Sequence, residues 1–271
     1  MSNRQLTKLE LDELASRFQL MVDKKSVSCL KLFTKQTPSS NRLLCMEELL
    51  EQEHCTEYLR YLCAVIGAPS LAVAASQFAK RYAALLVVPA LYTMSIYDKA
   101  LDVSLKHVQL YNNEQQSWQP SLILQTSNIT PVFGNTAEER RDWYFCSISQ
   151  LFLLHLAPLW RSLALASSVS PIILWENTAV RIYSLFERKI AKLELPNCKK
   201  EQAQADYAAL LALSDGANFG ESYNPVARFR TSLRQRNDDS GATRMRHTCC
   251  FYYLTTSSPK YCDICPRAMK K

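Results

Sequence analysis

The sequence predicts a mainly α protein of the α+β class, with a small β-hairpin near residues 101–125 and a cysteine-rich, metal-binding segment at its C-terminal end. Three observations support this prediction. Several stretches carry apolar residues at helical spacing behind recognisable caps. One short region alternates apolar and polar residues, as a strand does. Four of the ten cysteines fall between residues 249 and 265.

Helices are predicted first for the N-terminal part of the chain. Residues 6–20 form one helix and residues 45–66 another. The apolar face of the second helix is made by Leu49, Leu50, Tyr58, Leu59 and Leu62. Ser70 follows a glycine and a proline and is suited to cap an alanine-rich helix that runs toward Pro89.

The hairpin is predicted from two neighbouring runs. LDVSLKHVQL at residues 101–110 alternates apolar and polar side chains, and SLILQ at residues 121–125 follows a polar stretch that can turn.

Three further helices are predicted in the second half of the body. Thr136 and Glu139 have capping-box spacing, and Pro158 ends or kinks the helix that they start. Pro171 lies in the first turn of the next helix, and a shorter helix covers residues 199–213. Beyond it the helical pattern stops and loop residues dominate.

The positive charge is concentrated at the C-terminal end. Residues 225–271 hold ten basic and three acidic residues, which accounts for the whole formal charge of +7, whereas residues 1–224 hold 22 of each. Such a field favours an anionic partner, surface or cluster. We therefore divide the chain into a helical body, residues 1–224, and a basic C-terminal segment, residues 225–271.

The N-terminus is not expected to be a secretory signal. It is charged throughout and lacks an apolar core and a cleavage site. The longest uncharged runs, residues 82–97 and 145–160, are shorter than the roughly 18 residues of a membrane span and each contains a proline, so we expect buried helices. A cytoplasmic location is expected, with at most peripheral contact at the inner face of the membrane. In the cytoplasm, ten cysteines indicate metal binding, redox chemistry or packing rather than a disulfide framework.

Common nucleotide and hydrolase motifs are missing. None of the five glycines belongs to a dinucleotide-binding or phosphate-binding loop, so NAD(P) or ATP binding by a standard fold is not expected. No nucleophile elbow or zinc-protease helix occurs, and the four histidines lie far apart in the sequence.

The terminal cysteines Cys249, Cys250, Cys262 and Cys265 are the candidate metal ligands. A C-x-x-C turn brings two sulfurs to one metal, in zinc and iron-sulfur sites alike. The adjacent cysteines Cys249 and Cys250 help to distinguish a zinc site from an iron-sulfur site, because neighbouring side chains of an extended strand point to opposite faces. Both can join one site only if the chain bends there or the site is broad. The spacing favours a [2Fe-2S] cluster and leaves a zinc site as the alternative.

The arrangement CC-x11-C-x2-C after a mostly helical body resembles the FhuF-type ferric siderophore reductases, which end in CC-x10-C-x2-C. The QFAKRYAALLVVPAL helix, the LWENTAVRIY segment with Trp175 and Asn177, and the Asn224-Pro225 pair are similar to that family as well. One residue more separates Cys250 from Cys262 than the family pattern has, which a surface loop tolerates at little cost.

The resemblance implies an iron-sulfur ferric reductase. The four cysteines would hold a [2Fe-2S] cluster that passes single electrons to Fe(III) in a siderophore, of the hydroxamate type in this family. The implied partners are the ferric siderophore and an electron donor such as a ferredoxin, a flavodoxin or a reductase. No acid, base or nucleophile is needed, because the electron alone weakens the iron complex.

Basic residues near the thiols could dock either partner or form a solvated face; these are Arg228, Arg230, Arg234, Arg236 and Arg246. Two other functions remain open. A zinc-stabilised nucleic-acid or protein interaction module would use the same cysteines, although no nucleic-acid partner is expected. A siderophore-handling protein without redox activity would leave the thiols unexplained.

Overall fold

The computed structural model describes residues 5–22, 41–113, 118–125, 129–132, 136–234, 243–255 and 260–268. Helices dominate these residues, which confirms the mainly α class. The helices are α1 (Lys8–Phe18), α2 (Gln52–Ile66), α3 (Leu71–Leu85), α4 (Val87–Tyr97), α5 (Ala137–Leu151), α6 (Ala157–Ser167), α7 (Pro171–Tyr183), α8 (Asn197–Ala212) and the single turn α9 (Pro225–Arg228).

The predicted caps are present. The Ser70 hydroxyl accepts the Val73 N–H at the start of α3, with 3.4 Å between nitrogen and oxygen. At the start of α5, Thr136 Oγ1 accepts the Glu139 N–H at 3.2 Å while Glu139 Oε2 accepts the Thr136 N–H at 3.0 Å. Pro171 lies in the first turn of α7.

Helix α3 is at the centre of the core. It packs against α2, α4, α6 and α7, and its alanines let these neighbours approach closely. The Phe78 ring stacks on the Tyr82 ring with 5.2 Å between centroids, and Tyr82 meets the edge of Trp160 at 6.2 Å. The face of α3 toward α7 also carries the polar residues that reach the C-terminal segment.

Pro89 and Pro158, which the sequence places at the end or kink of a helix, both lie inside long helical stretches. Pro89 is buried in the first turn of α4, where a missing N–H costs little, and α4 follows α3 after one residue. A π-helical turn at Phe152–Leu156 joins α5 to α6 directly before Pro158. The wider turn changes the hydrogen-bond register there, so the chain continues as a helix.

Two helical stretches are long and apolar enough to cross a membrane by length and composition, Leu71–Tyr97 and Ala137–Ser167. In the structure, 72% and 56% of their apolar windows are buried inside the protein. Burial of this kind is typical of core helices, as the uncharged runs of the sequence predict.

The strands are short and lie beside the helical core. They are β1 (Leu20–Val22), β2 (Asn41–Cys45), β3 (Lys99–Leu101), β4 (Val108–Asn113), β5 (Ser121–Leu124), β6 (Ile129–Pro131), β7 (Leu233–Arg234) and β8 (Thr243–Arg244). One sheet has the order β1-β5-β4-β2, with β1 parallel to β5 and the other pairs antiparallel. The pairs β3-β6 and β7-β8 form two smaller ribbons.

The predicted hairpin is present as β4 and β5, with Gln109 opposite Ile123. Its first strand was predicted too early. Leu101 ends β3, and residues 105–107 form a 3₁₀ turn in which His107 Nδ1 lies 2.8 Å from Asp102 Oδ2. This side-chain pair stabilises a turn that the apolar alternation alone does not reveal.

His155 lies in the π-helical turn and is 1% exposed. Its Nδ1 is 2.5 Å from the carbonyl oxygen of Val103 and its Nε2 is 2.6 Å from the Tyr82 hydroxyl. Because a carbonyl only accepts, Nδ1 carries the proton and Nε2 accepts from Tyr82. Burial lowers the pKa of His155 to about 4, against the smaller opposing effect of the Val103 hydrogen bond.

Acid should therefore destabilise the fold through His155. The unfolded state, with a histidine pKa of about 6.5, binds more protons between pH 6.5 and pH 4, so stability falls as pH decreases through this window, by about 3 kcal/mol in full. We expect urea unfolding at pH 7.5 and 4.5 to show a smaller pH effect in His155→Gln than in the wild type. The exposed His54→Gln is the control, and equal pH effects in all three proteins would contradict the assignment.

Candidate metal centre in the C-terminal segment

The four terminal cysteines come together in the structure. The sulfurs of Cys250 and Cys262 are 3.8 Å apart. The thiols of Cys249 and Cys265 also interact. The N–H of Cys265 donates to the carbonyl of Cys262 at 2.9 Å, which closes the C-x-x-C turn. The cysteines therefore form two pairs, each with one member from the adjacent pair and one from the C-x-x-C turn.

The backbone bends where the adjacent cysteines require it. Phe251 has a φ of 62° and lies in the left-handed region, and a 3₁₀ turn at Tyr252–Leu254 follows. The Phe251 N–H donates to the Cys249 sulfur at 3.4 Å. An extended chain would direct the two adjacent side chains to opposite faces, whereas this bend lets both reach one region.

A buried carboxylate on α7 holds the segment just before the cysteines. Glu176 is 1% exposed and accepts the N–H of His247 at 2.5 Å and the N–H of Thr248 at 2.8 Å. The Thr248 hydroxyl donates to it as well, and Arg246 Nη2 lies 3.4 Å from Glu176 Oε2. Four donors therefore satisfy one buried charge, which would otherwise be costly to bury.

Helix α3 holds the segment at the cysteine pair itself. The carbonyl of Cys250 accepts from Ser76 Oγ at 2.9 Å and from Gln77 Nε2 at 2.5 Å. Asn177 Nδ2 donates to the Ser76 carbonyl at 2.9 Å and so links α7 to the same point. The main chain at Cys250 is thus attached to both helices.

Cationic side chains surround the thiols. Lys80 Nζ is 3.9 Å from the Cys250 sulfur, and Arg181 Nε donates to the Lys80 carbonyl at 3.2 Å. The hydrogen bond between the Cys250 and Cys262 thiols, opposed by burial and assisted by Lys80 and Arg246, lowers the pKa of Cys250. The same hydrogen bond raises the pKa of Cys262. The site therefore favours a thiolate, the form that binds a metal.

Burial raises the pKa of Cys249, against the opposing effect of the Phe251 N–H. Burial also lowers the pKa values of Lys80 and Arg181. A negative group bound between the thiols would offset this effect of burial on the two cations.

The donor set is compatible with a two-metal cluster. Within the described part of the chain, no group of three or more histidine, cysteine, aspartate or glutamate side chains is placed as a metal site. Two thiolates about 2.3 Å from one tetrahedral ion lie about 3.8 Å apart, which is the separation of the Cys250 and Cys262 sulfurs. A [2Fe-2S] cluster takes two cysteines on each iron, and the structure presents two cysteine pairs.

A cleft of about 500 Å³ opens beside Cys262. Four arginines line it: Arg181, Arg188, Arg244 and Arg246. Arg244 Nε lies 2.8 Å from Glu187 Oε2, and Arg246 is paired with Glu176. Two of the four arginines are therefore already neutralised by carboxylates.

The arginines predicted from the sequence occupy different places. Arg246 is buried in its ion pair and lines the cleft. Arg228 lies over the Tyr223 ring at 4.3 Å, and Arg230 Nε is 3.7 Å from Glu187 Oε1. Arg234 belongs to β7, but its side chain lies outside the described part, as does the whole of Arg236.

Sequence reasoning missed several residues that position the cysteines, namely Ser76, Gln77, Lys80, Glu176 and Arg181. Trp175 and Asn177, named in the family resemblance, are buried and hydrogen-bonded; Trp175 Nε1 donates to Glu221 Oε1 at 3.1 Å. The signal for Glu176 was available, because a lone acid on an apolar helix face must find donors when it is buried.

Fold and site together define a mainly α protein whose C-terminal four-thiol segment is attached to two core helices. A family model described as "Ferric iron reductase FhuF-like transporter" matches residues 76–241. The chain belongs to this FhuF-like family, which confirms the resemblance seen in its sequence. The match contains the anchoring residues of α3 and α7 and ends before the four cysteines.

Among solved structures, the chain is similar to the aerobactin synthetase IucC from a hypervirulent pathotype of Klebsiella pneumoniae, with 14% identity and a TM-score of 0.47. The similarity covers 71% of this chain and 36% of the synthetase, so the chain spans about a third of that protein's length. No curated protein matches the chain.

Glu176 should control access to the thiols. Glu176→Ala removes the carboxylate that pairs with the charge of Arg246 and accepts from two N–H groups and the Thr248 hydroxyl, and breaking a buried ion pair costs about 3–5 kcal/mol. We expect the terminal segment to detach, so that iodoacetamide modifies Cys250 of the metal-free protein at least about tenfold faster, because exchange of a detached segment follows its opening free energy. Peptide mass spectrometry measures the rate.

Glu176→Gln keeps an oxygen acceptor, so its rate of Cys250 modification should lie between those of the wild type and Glu176→Ala. Glu201→Ala, an exposed acid on α8, is the matched control. An unchanged Cys250 rate in Glu176→Ala would show that the carboxylate does not hold the segment.

Proposed function

We propose that the protein is a cytoplasmic ferric-siderophore reductase whose Cys249, Cys250, Cys262 and Cys265 hold a [2Fe-2S] cluster. Membership of the FhuF-like family supports a role related to ferric iron reduction. The observation that carries the cofactor assignment is the two cysteine pairs, with the Cys250 and Cys262 sulfurs 3.8 Å apart. Their anchors, from Ser76 to Arg181, lie within the matched region.

The reaction is the transfer of one electron. When bound, the cluster supplies reversible one-electron chemistry between a donor and an acceptor. The donor protein, of the ferredoxin, flavodoxin or reductase class, loses one electron, and the Fe(III) of the siderophore gains one. Hard oxygen ligands such as hydroxamates hold Fe(III) more tightly than the larger, less charged Fe(II). The iron then leaves without any bond of the siderophore being broken.

The chain's own residues orient the site and compensate charge. Four thiolates with two Fe(III) and two sulfides carry a net charge of −2, which becomes −3 on reduction. Lys80 Nζ is 3.9 Å from the Cys250 sulfur, and Arg181 lines the same cleft as Cys262. Both cations would stabilise negative charge on a bound cluster, because opposite charges a few ångströms apart interact strongly in a partly buried site. Gln77 and Glu176 hold the main chain so that the sulfurs stay paired.

The zinc-module alternative is less well supported. A single structural zinc needs four ligands around one point, whereas the sulfurs interact as two pairs, Cys250 with Cys262 and Cys249 with Cys265. The basic charge near the thiols is partly used in ion pairs to Glu176 and Glu187, which reduces what is left for phosphate contacts.

The cytoplasmic location is part of the proposal. The family's substrate is the iron complex that reaches the cell interior, and reduced thiols persist there. Burial of the two long apolar helices in the core is consistent with at most peripheral membrane contact.

The anaerobically purified protein should be brown and contain about two irons and two sulfides per chain. Dithionite should bleach the visible absorption, and a ferric hydroxamate should restore it. Cys262→Ser should lose most of the bound iron and colour, because one of the two pairs is broken. The exposed Cys146→Ser and Cys198→Ser are matched controls that should keep both.

Metal and sulfide analysis with visible and EPR spectra decides the question. A colourless protein with one zinc, even after anaerobic reconstitution, would overturn the proposal and favour the zinc module.

A further inference from the structure

Three clefts of about 500–510 Å³ differ in the residues that line them. The first lies beside Cys262, the second at the end of α2 and the middle of α3, and the third beside His155. Among their described lining residues, a cysteine occurs only in the first, which we call the Cys262 cleft. All three have a volume typical of small-ligand sites, about 300–1,000 Å³, so the thiol distinguishes the Cys262 cleft as the one in which a ligand would contact the metal centre.

The exposure of the cysteines supports the same choice. Cys250 and Cys265 are 1% and 2% exposed, whereas Cys262 is partly exposed. Cys249 is partly exposed too, but it lines none of the three clefts. Lys80 lies 3.9 Å from the sulfur of Cys250, the partner of Cys262. Negative charge on a bound cluster is therefore favoured on the side of the cysteine pair that lines the cleft.

Two cations of the Cys262 cleft are compensated by carboxylates. Arg244 Nε is 2.8 Å from Glu187 Oε2, and Arg246 Nη2 is 3.4 Å from Glu176 Oε2. Both ion pairs hold the C-terminal segment against α7 and the turn that follows it. Their charge is therefore used within the protein and does not select a charged ligand.

The other charges of the Cys262 cleft are balanced as well. Lys80 and Arg181 interact with the charge of the Cys250–Cys262 pair. Arg188 and Asp263, which also line the cleft, are opposite in sign. A ligand that enters the cleft of the cluster-loaded protein therefore meets little net charge from the described residues. An uncharged ligand suits such a wall, because a charged one would lose its hydration without gaining a counter-charge.

Apolar and neutral polar side chains complete the Cys262 cleft. Leu233 is 53% exposed, although most large apolar residues of this protein are buried. It lines the cleft together with the half-buried Val180 and Ile264. Ser184, in the helical turn that follows α7, adds a neutral polar side chain. Contact with a ligand would remove the apolar surface of Leu233 from water, which favours binding.

We propose that the Cys262 cleft is the docking site of the ferric chelate, that Leu233 and Ser184 contact its organic part, and that the electron leaves the metal centre on the side of Cys262. This inference rests on the proposed reductase function and adds the place at which the substrate binds. A ferric tris-hydroxamate is uncharged, because its three anionic groups cancel the charge of the iron. One electron passes to Fe(III), which becomes Fe(II); the metal centre is oxidised, and the donor protein restores its electron.

Binding can be measured without electron transfer by using Ga(III), which has the charge and nearly the size of Fe(III) but is not reduced. The probe is the Ga(III) complex of a cyclic tris-hydroxamate, which is uncharged. Isothermal titration calorimetry of the cluster-loaded protein gives its dissociation constant. We expect this constant to change by less than about twofold between low and high salt, because screening acts on charged ligands.

Two tryptophan variants compare the first two clefts. Ser184→Trp fills the Cys262 cleft and should weaken binding of the gallium complex at least about tenfold by steric exclusion. Val65→Trp, at a 38% exposed position of the second cleft, is the matched control and should leave the affinity unchanged. Leu233→Ser, a smaller change, should weaken binding about threefold, because an apolar contact is lost. Iron content and circular dichroism verify that each variant is loaded and folded.

The inference is overturned if the wild type does not bind the gallium complex, if Ser184→Trp and Leu233→Ser both keep the wild-type affinity, or if Val65→Trp weakens binding as much as Ser184→Trp. In each case, reoxidation of the dithionite-reduced wild type by a ferric tris-hydroxamate would show that the proposed function stands and that only the docking site is wrong. If no ferric chelate reoxidises the reduced wild type, the proposed function itself fails, and the inference fails with it.

Discussion

The site depends on one buried carboxylate. Glu176 lies on a core helix and is almost fully buried, and its charge is tolerated there only because the C-terminal segment supplies its donors. The dependence is mutual. The body needs the segment to satisfy Glu176, and the segment, which has little regular secondary structure, needs Glu176 to have a defined path. The main chain enters the cysteine pair directly from these contacts.

Polar groups of α3 continue this attachment. Ser76 and Gln77 donate hydrogen bonds to the Cys250 carbonyl, and Asn177 of α7 donates to the Ser76 carbonyl. A loop that carries four thiols could adopt many conformations by itself, and each residue that is ordered costs about 1–2 kcal/mol of backbone entropy. Contacts to two rigid helices reduce that cost at the point where the sulfurs must pair. Bound metal would stabilise the same arrangement, since metal binding and local folding are coupled.

The cations have a dual position in this architecture. Lys80 and Arg181 stand beside the thiols and also line two clefts of about 500 Å³ each. A negative group held by the thiols and a molecule in either cleft would therefore act on the same two side chains. The family match includes both cations and the residues that hold the C-terminal segment, but not the thiols. The part of the chain recognised as FhuF-like is therefore the part that positions the four cysteines.

The sequence by itself determined the local features of this protein. Helix starts at Ser70 and Thr136 follow from side chains that bond within one turn, and the β4-β5 hairpin follows from neighbouring alternating runs, because both depend on contacts between residues close in the chain. The four cysteines could likewise be identified as candidate ligands from their spacing. The boundary of β4 could not, since the Asp102–His107 pair competes with the strand pattern.

Only the tertiary structure decided what surrounds the thiols. Lys80 and Glu176 are roughly 170 and 70 residues from the cysteine pair in sequence, and no periodicity or motif reports a contact at that separation, because folding of the intervening chain creates it. The strands β1 and β2 pair with strands far along the chain for the same reason. The predicted arginines were chosen by proximity in sequence, and of these Arg246 acts on Cys250. Lys80, 3.9 Å from the Cys250 sulfur, comes from a helix that packing brings there.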